Sequence, residues 1–215
     1  MLEEITWFRQ AAMCVRADGL VVYIDPWGTS DDDEPADLIL LTHAHDDHFR
    51  PEEINRLTKD STRIAAPRDV AKELSGAVTA VSPGESHELG SARVRTVPAY
   101  NIVEHRLDKH PRANGWVGYL LTLGGSTYYH SGDTDALPEL EQIVTDVAMV
   151  CVGGDPFTMG PSEAGGLVRA MTPRVAIPMH YGFVVGSPGS AEEFRREADP
   201  IHVAELRPTN DFELA

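Results

Sequence analysis

The run Leu38-Ile39-Leu40-Leu41-Thr42-His43-Ala44-His45-Asp46-Asp47-His48 decides how this chain is read. Its first four residues form a short continuous apolar stretch, the pattern of a strand buried on both faces. Three histidines and two aspartates then crowd into residues 43–48. A loop leaving a buried strand is held rigidly at its base and is open at its tip, which suits side chains that must converge. Neutral imidazoles and carboxylates are good zinc ligands. His43, His45, Asp47 and His48 are four such groups, too many for one catalytic zinc that must keep an open position. They suit two metals, with His43 and His45 on one and Asp47 and His48 on the other.

Outward from this loop, strand signals precede it at residues 13–16 and 20–24, joined by Asp18-Gly19, a hairpin turn pair. Helical patterns at 51–58 and 68–74 alternate with strand patterns at 63–66, 78–81 and 92–97. A second hairpin, 116–123 with 126–130, turns at Gly124-Gly125. Further on, 138–144, 161–171 and 191–197 read as helices, with Pro161 at a position that suits proline. Residues 147–152, 174–179 and 201–205 read as strands. Hairpins mixed with βαβ steps predict an α/β protein with sheets inside and helices outside, in one domain over residues 1–215.

Two more ligand candidates occupy matching places. Asp133, in His130-Ser131-Gly132-Asp133-Thr134, follows the strand at 126–130, and His180, in Pro178-Met179-His180-Tyr181, follows the strand at 174–179. A carboxylate between two metals would bridge them and offset their charge, which is the role expected of Asp133. His130, three residues away, is a candidate to orient a ligand from behind.

These residues carry a resemblance. The segment 42–48 resembles the signature loop of metallo-β-lactamase-fold hydrolases, Gly132-Asp133-Thr134 their bridging-aspartate motif, and Pro178-Met179-His180-Tyr181 the segment with their last histidine. Ile24-Asp25-Pro26-Trp27 and the run from Gly154 through Phe157-Thr158-Met159-Gly160 to Pro161 are similar to the lactonase-like branch. That branch includes relatives of ascorbate-6-phosphate lactonase and of N-acyl-phosphatidylethanolamine phospholipase D. The motifs run in register from residue 5 to 182. The resemblance implies a four-layer αββα sandwich with a binuclear metal site at one edge, between the two sheets.

Two departures stand out. Many relatives carry a histidine ligand in a Pro-Ala-x-His segment, where this chain has Pro98-Ala99-Tyr100-Asn101. Asparagine binds zinc weakly, so a substitute is expected, with His110 preferred over His105 because His110-Pro111 precedes a strand. Asn101 itself, or a water it holds, is the alternative. At Arg9-Gln10-Ala11, relatives often read Gly-His-Ala, and no role for that histidine carries over.

The bulk composition limits the function classes. In 215 residues, 42% are apolar, enough for a sizeable core, and the formal net charge is −16. Such a charge repels phosphate backbones and anionic lipid, so neither nucleic acid nor membrane is an expected partner. Cys14 and Cys151 lie in apolar runs without zinc or disulfide spacing. No export signal or membrane-spanning stretch is read, so the cytoplasm is the expected compartment, which disfavours a secreted β-lactamase. The expected function is zinc-dependent hydrolysis of a small ester, lactone or phosphoester by a metal-activated water, with Asp47 orienting that water. One or two Zn²⁺ are expected, with Mn²⁺, Fe²⁺ or Ni²⁺ as alternatives. A non-catalytic metal-binding member of the fold is the main competing class, a nuclease the lesser one, and a homo-oligomer is left open.

Overall fold

A computed structural model describes residues 2–213. Two six-stranded sheets carry the chain. The first comprises β1 (Ile5–Trp7), β2 (Met13–Ala17), β3 (Leu20–Ile24), β4 (Ala36–Leu40), β5 (Thr58–Pro67) and β6 (Ala77–Val81), in that spatial order. The second comprises β7 (Ser86–Leu89), β8 (Ala92–Pro98), β9 (Val117–Leu123), β10 (Ser126–His130), β11 (Val147–Cys151) and β12 (Val175–Met179), again neighbour to neighbour. In each sheet the hairpin-linked strands pair antiparallel. The pairs β3–β4, β4–β5, β5–β6, β10–β11 and β11–β12 are parallel.

Alternation along the strands assigns the faces. Val22, Ile24, Leu38 and Leu40 join the core between the sheets, where they meet Val94, Tyr119 and Leu121. Their neighbours Val21, Tyr23, Ile39 and Leu41 turn outward and pack under α1 (Pro51–Leu57) and α2 (Arg68–Ala71) through Ile54, Leu57 and Val70. The outer face of the second sheet is covered by α3 (Pro161–Met171) and α4 (Ser190–Glu197). This is the expected αββα order. Tyr119 ties the layers together: its phenol donates across the core to the carbonyls of Leu41, at 2.7 Å, and Ala65, at 3.1 Å.

Several elements differ from the sequence expectation. β1 and β7 are edge strands of three and four residues, too short to show a period. β5 has ten residues rather than four, because it leaves α1 without a turn and its first half is exposed. The expected helix at 138–144 is a 3₁₀ turn, Pro138–Gln142. Leu137, Leu140 and Ile143 are all buried, a spacing of three that matches the 3₁₀ repeat and not the α-helix. The expected last strand at 201–205 makes only one bridge, Val203 to Ala176, beside β12. α2 stops at Ala71, short of the expected residue 74.

Candidate metal centre

The site forms where the parallel strands end. Asp25 follows β3, the 42–48 loop follows β4, Asp133 follows β10 and His180 follows β12. Crevices beyond the carboxyl ends of strands are natural binding places in α/β sheets. Two close approaches require glycine. Gly132, at φ +58°, makes the turn that delivers Asp133, and a Cβ there would lie 3.0 Å from the Val117 carbonyl. At Gly153 a Cβ would lie 2.6 Å from the His180 carbonyl oxygen and 2.6 Å from Val185 Cγ1.

The potential ligands gather in two groups. His43, His45 and His110 have ligand nitrogens within 4.8 Å of one another, and so do the donor atoms of Asp47, His48 and His180. Asp133 lies between the groups. Its Oδ2 is 3.0 Å from His180 Nε2, 3.4 Å from His48 Nε2, 3.4 Å from His110 Nε2 and 3.9 Å from His43 Nε2. All seven sequence candidates therefore converge, in the expected division of the 43–48 loop.

The histidine orientations follow from what lies behind them. The buried Asp25 accepts from Thr42 N at 2.8 Å and Thr42 Oγ1 at 2.6 Å, and faces His48 Nδ1 at 2.7 Å. His48 Nδ1–H thus donates backward and frees Nε2 for the site. Because the Thr42 hydroxyl donates to Asp25, it accepts from His43 Nδ1–H at 2.9 Å, which frees His43 Nε2 as well. Asp25 also clusters with His43 and His48 as a third potential ligand set, but its oxygens are already taken by these three donors. Beside a metal it would act as the carboxylate that orients the ligating histidines. His130 acts further back: Nε2 meets the Ala11 carbonyl at 2.8 Å, and Nδ1 accepts from Gly132 N at 3.2 Å, so it secures the turn before Asp133.

The segment 101–110 shows how the Asn101 departure is accommodated. The Asn101 amide donates to the carbonyls of Arg106, at 2.9 Å, and Phe157, at 2.8 Å. A flipped amide would set its oxygen against both carbonyls, so Asn101 braces the strap. His110 Nδ1 donates to the same Phe157 carbonyl at 3.1 Å, leaving Nε2 toward Asp133. Arg106 staples the strap to the body. It donates to Asp135 at 2.8 Å, Asp155 at 2.6 Å and Glu163 at 3.0 Å, while Asp135 accepts from Ile102 N and Val103 N. His105 reaches Asp155 on the surface at 2.7 Å, away from the site.

Gln10 also enters. It is fully buried, and its amide Nε2 lies 3.1 Å from Asp47 Oδ2 and 3.0 Å from His180 Nε2, while its backbone carbonyl accepts from His180 N at 2.8 Å. Asp25, Thr42 and Gln10 were not read as site residues from sequence. The signals for Asp25 were present, a buried acid at a strand end before proline, but nothing local distinguishes it from a turn aspartate. Gln10 stands where relatives often carry a histidine, which marks the position, but only the fold brings its side chain beside Asp47.

The electrostatics fit cations. Burial disfavours charge on His43, and the neighbouring His48 adds to this, so its pKa falls well below the usual histidine value. Burial also opposes charge on His48 and His180, but carboxylates outweigh it. Asp133, Asp47 and Asp25 lift His48 well above the usual value, and Asp133 and Asp47 lift His180 to about 9. Despite burial, Asp133 and Asp47 are held well below the ordinary carboxylate range by these same histidines. Among the described residues, His48 Nε2, His110 Nε2 and Asp133 Oδ1 are buried without a hydrogen-bond partner. Orphaned imidazole nitrogens and a bridging carboxylate are what one or two divalent cations would satisfy.

The fold and this donor set define a metallo-β-lactamase-type hydrolase scaffold. Residues 4–180 match the family described as the beta-lactamase superfamily domain. A UPF0173 metal-dependent hydrolase of Methanopyrus kandleri is 31% identical, over 98% of this chain and 99% of that protein. A UPF0173 protein of Pyrococcus abyssi is 32% identical, over 98% of this chain and 100% of its own length. A crystal structure from Parabacteroides distasonis superposes with a TM-score of 0.85 at 29% identity, covering 95% of this chain and 93% of the other. The metallo hydrolase Igni18 of Ignicoccus hospitalis shares the fold at a TM-score of 0.78 and 22% identity, over 96% and 95% of the two chains. The chain belongs to the beta-lactamase superfamily and, within it, to the UPF0173 family.

Proposed function

We propose that this protein is a binuclear, zinc-dependent hydrolase of a small ester, lactone or phosphoester. The observation that carries this reading is the pair of three-donor groups sharing Asp133. His43, His45 and His110 would hold one cation, Asp47, His48 and His180 the other, and Asp133 would lie between them. Bound cations would lower the pKa of a water toward neutrality and polarise the scissile oxygen. Asp47, part-exposed and ionised, would accept a hydrogen bond from the attacking water and fix its approach, while Gln10 holds the other side of that carboxylate. Asp25 and Thr42 would keep His48 and His43 in the tautomers that present Nε2.

Beside the donors lies a cavity of about 190 Å³, lined by His45, Asp47, Asp133 and His180 together with Asp108, Lys109, Phe157 and Val184. Its size favours a small reacting group, smaller than the ~300 Å³ at the low end of drug-sized sites. Phe157 would meet an apolar part of the substrate, and Lys109, paired with Asp108 at 3.2 Å, a polar one. The test is a panel of lactones, carboxylic esters and phosphodiesters with zinc-loaded and chelator-stripped protein. Turnover of one class that disappears on stripping and returns with zinc is expected. Fully loaded protein inert toward all three classes would overturn the proposal.

A further inference from the structure

A cavity much larger than the one at the metal centre lies elsewhere on the molecule. It measures about 800 Å³ and lies between the end of β8, the 3₁₀ turn Pro138–Gln142 and the segment leading into β9. That volume is within the range of small-molecule sites, about 300–1,000 Å³. Trp116, Tyr100 and Ile143 give it an apolar wall, and Arg95 and Arg112 line it with positive charge.

The placement of two arginines in one cavity is the feature that points to a ligand. The protein has 34 acidic residues against 18 basic ones, so a cavity lined by two arginines without carboxylate partners stands out against its overall charge. Arg93 and Arg95 lie two residues apart on the same exposed face of β8. Arg93 pairs with Glu88 at 2.8 Å, whereas Arg95, among the described residues, forms no ion pair. Arg112 forms none either and stacks its guanidinium 4.9 Å from the Tyr100 ring centroid. One acid, Glu139, also lines the cavity and accepts from the Tyr100 hydroxyl at 2.8 Å, so the two arginines leave the lining with a net positive charge. Two guanidinium groups in one lining with Trp116 and Tyr100 match a planar apolar body bearing a carboxylate, sulfonate or phosphate.

We infer that this cavity is a second ligand site, which binds aromatic or similarly apolar organic anions through Arg95 and Arg112. It is separate from the metal centre but shares a wall with it. Trp116 lines the cavity, and its ring centroid lies 4.9 Å from those of both His43 and His45 and 5.7 Å from that of His110. A ligand seated there touches the side chain on which the three-histidine group rests.

Calorimetric titration of the metal-loaded chain with 2-naphthoate, and with its neutral isostere 2-naphthamide, tests this. Saturable one-to-one binding of the acid is expected, at least about tenfold tighter than the amide, since a charge-assisted hydrogen bond contributes about that factor. His43→Ala with His45→Ala should leave that binding in place, whereas Arg95→Ala with Arg112→Ala should weaken it at least about tenfold. Arg112→Gln alone should weaken it several-fold, and serves if the double variant folds poorly. No saturation at millimolar probe, equal binding of acid and amide, or binding that survives the arginine changes but is lost with the two histidines would each overturn the inference. The last outcome would assign the carboxylate to the metals.

Discussion

Asp25→Asn changes no shape and one charge, and it bears on the whole arrangement behind the metals. Asp25 accepts three hydrogen bonds, from Thr42 N, Thr42 Oγ1 and His48 Nδ1. An amide can reproduce only part of this. If its NH₂ takes the Oδ1 place, it faces the Thr42 backbone N–H, donor against donor. If it takes the Oδ2 place, it donates toward His48 Nδ1 and forces the proton onto Nε2, the nitrogen aimed at Asp133 and the proposed metal. Either way a fully buried donor loses its acceptor, at a cost of about 1–3 kcal/mol, and bonds to a charged acceptor are replaced by weaker neutral ones. A net loss of about 3 kcal/mol in the metal-free protein corresponds to a fall of about 10 °C in its thermal midpoint for a chain of this size. Metal affinity should fall about 10- to 100-fold, as for other groups that orient ligating histidines. Chelator competition measures the affinity, and nitrogen NMR of the imidazoles reads the His48 tautomer directly. Wild-type affinity with His48 still protonated on Nδ1 would refute the reasoning, because it would show that Asp25 does not set the tautomer.

Other substitutions and conditions give distinct outcomes. His110→Ala should reduce bound metal from two equivalents toward one by elemental analysis, with His43 and His45 left as a two-ligand site. Asp133→Asn should lower turnover far more than it lowers the melting point of stripped protein, since an amide keeps the shape but offsets no cation charge. Asn101→His should loosen the strap and weaken the His110 site, because no ring reproduces both donations to the Arg106 and Phe157 carbonyls; tighter metal binding in that variant would show that the strap can yield. The raised His48 and His180 give metal-free protein a pH signature. Their charged forms stabilise the fold fully below the unfolded histidine pKa of ~6.5, and that stabilisation is lost as pH rises through about 9 for His180. Melting of stripped protein should therefore drop between pH 6.5 and 9, while metal affinity should rise over the same window as protons cease to compete.

The layered α/β plan was legible because the strands that matter most carry unmistakable patterns, whereas the four-layer αββα order followed from the resemblance of residues 42–48, 132–134 and 178–181 to a known family. Residues 38–41 are continuously apolar because β4 is central and covered on both faces, and the Asp18-Gly19 and Gly124-Gly125 turns announce their hairpins. Elements set by tertiary partners were not legible. β1 and β7 exist because a longer neighbour lends them hydrogen bonds, and Pro138–Gln142 winds as 3₁₀ because its three buried side chains meet the sheet at a spacing of three. The same division applies to the site. The ligand loop is local in sequence, so His43, His45, Asp47 and His48 could be read together. The part played by His110 depends on a strap held by Asn101 and Arg106, and those of Asp25 and Gln10 on strand ends far apart in the chain. Chemistry could nominate His110 for a gap left by Asn101, but only the folded strap says how it gets there.

Anomalous diffraction from zinc-loaded crystals, collected on both sides of the zinc edge, tests the central claim most directly. Two zinc peaks are expected, about 3.5–4 Å apart as in two-metal sites generally. One should be ringed by His43, His45 and His110, the other by Asp47, His48 and His180, with Asp133 reaching both. A single peak, or a peak from which His110 or Asp133 stands clear, would contradict the binuclear assignment.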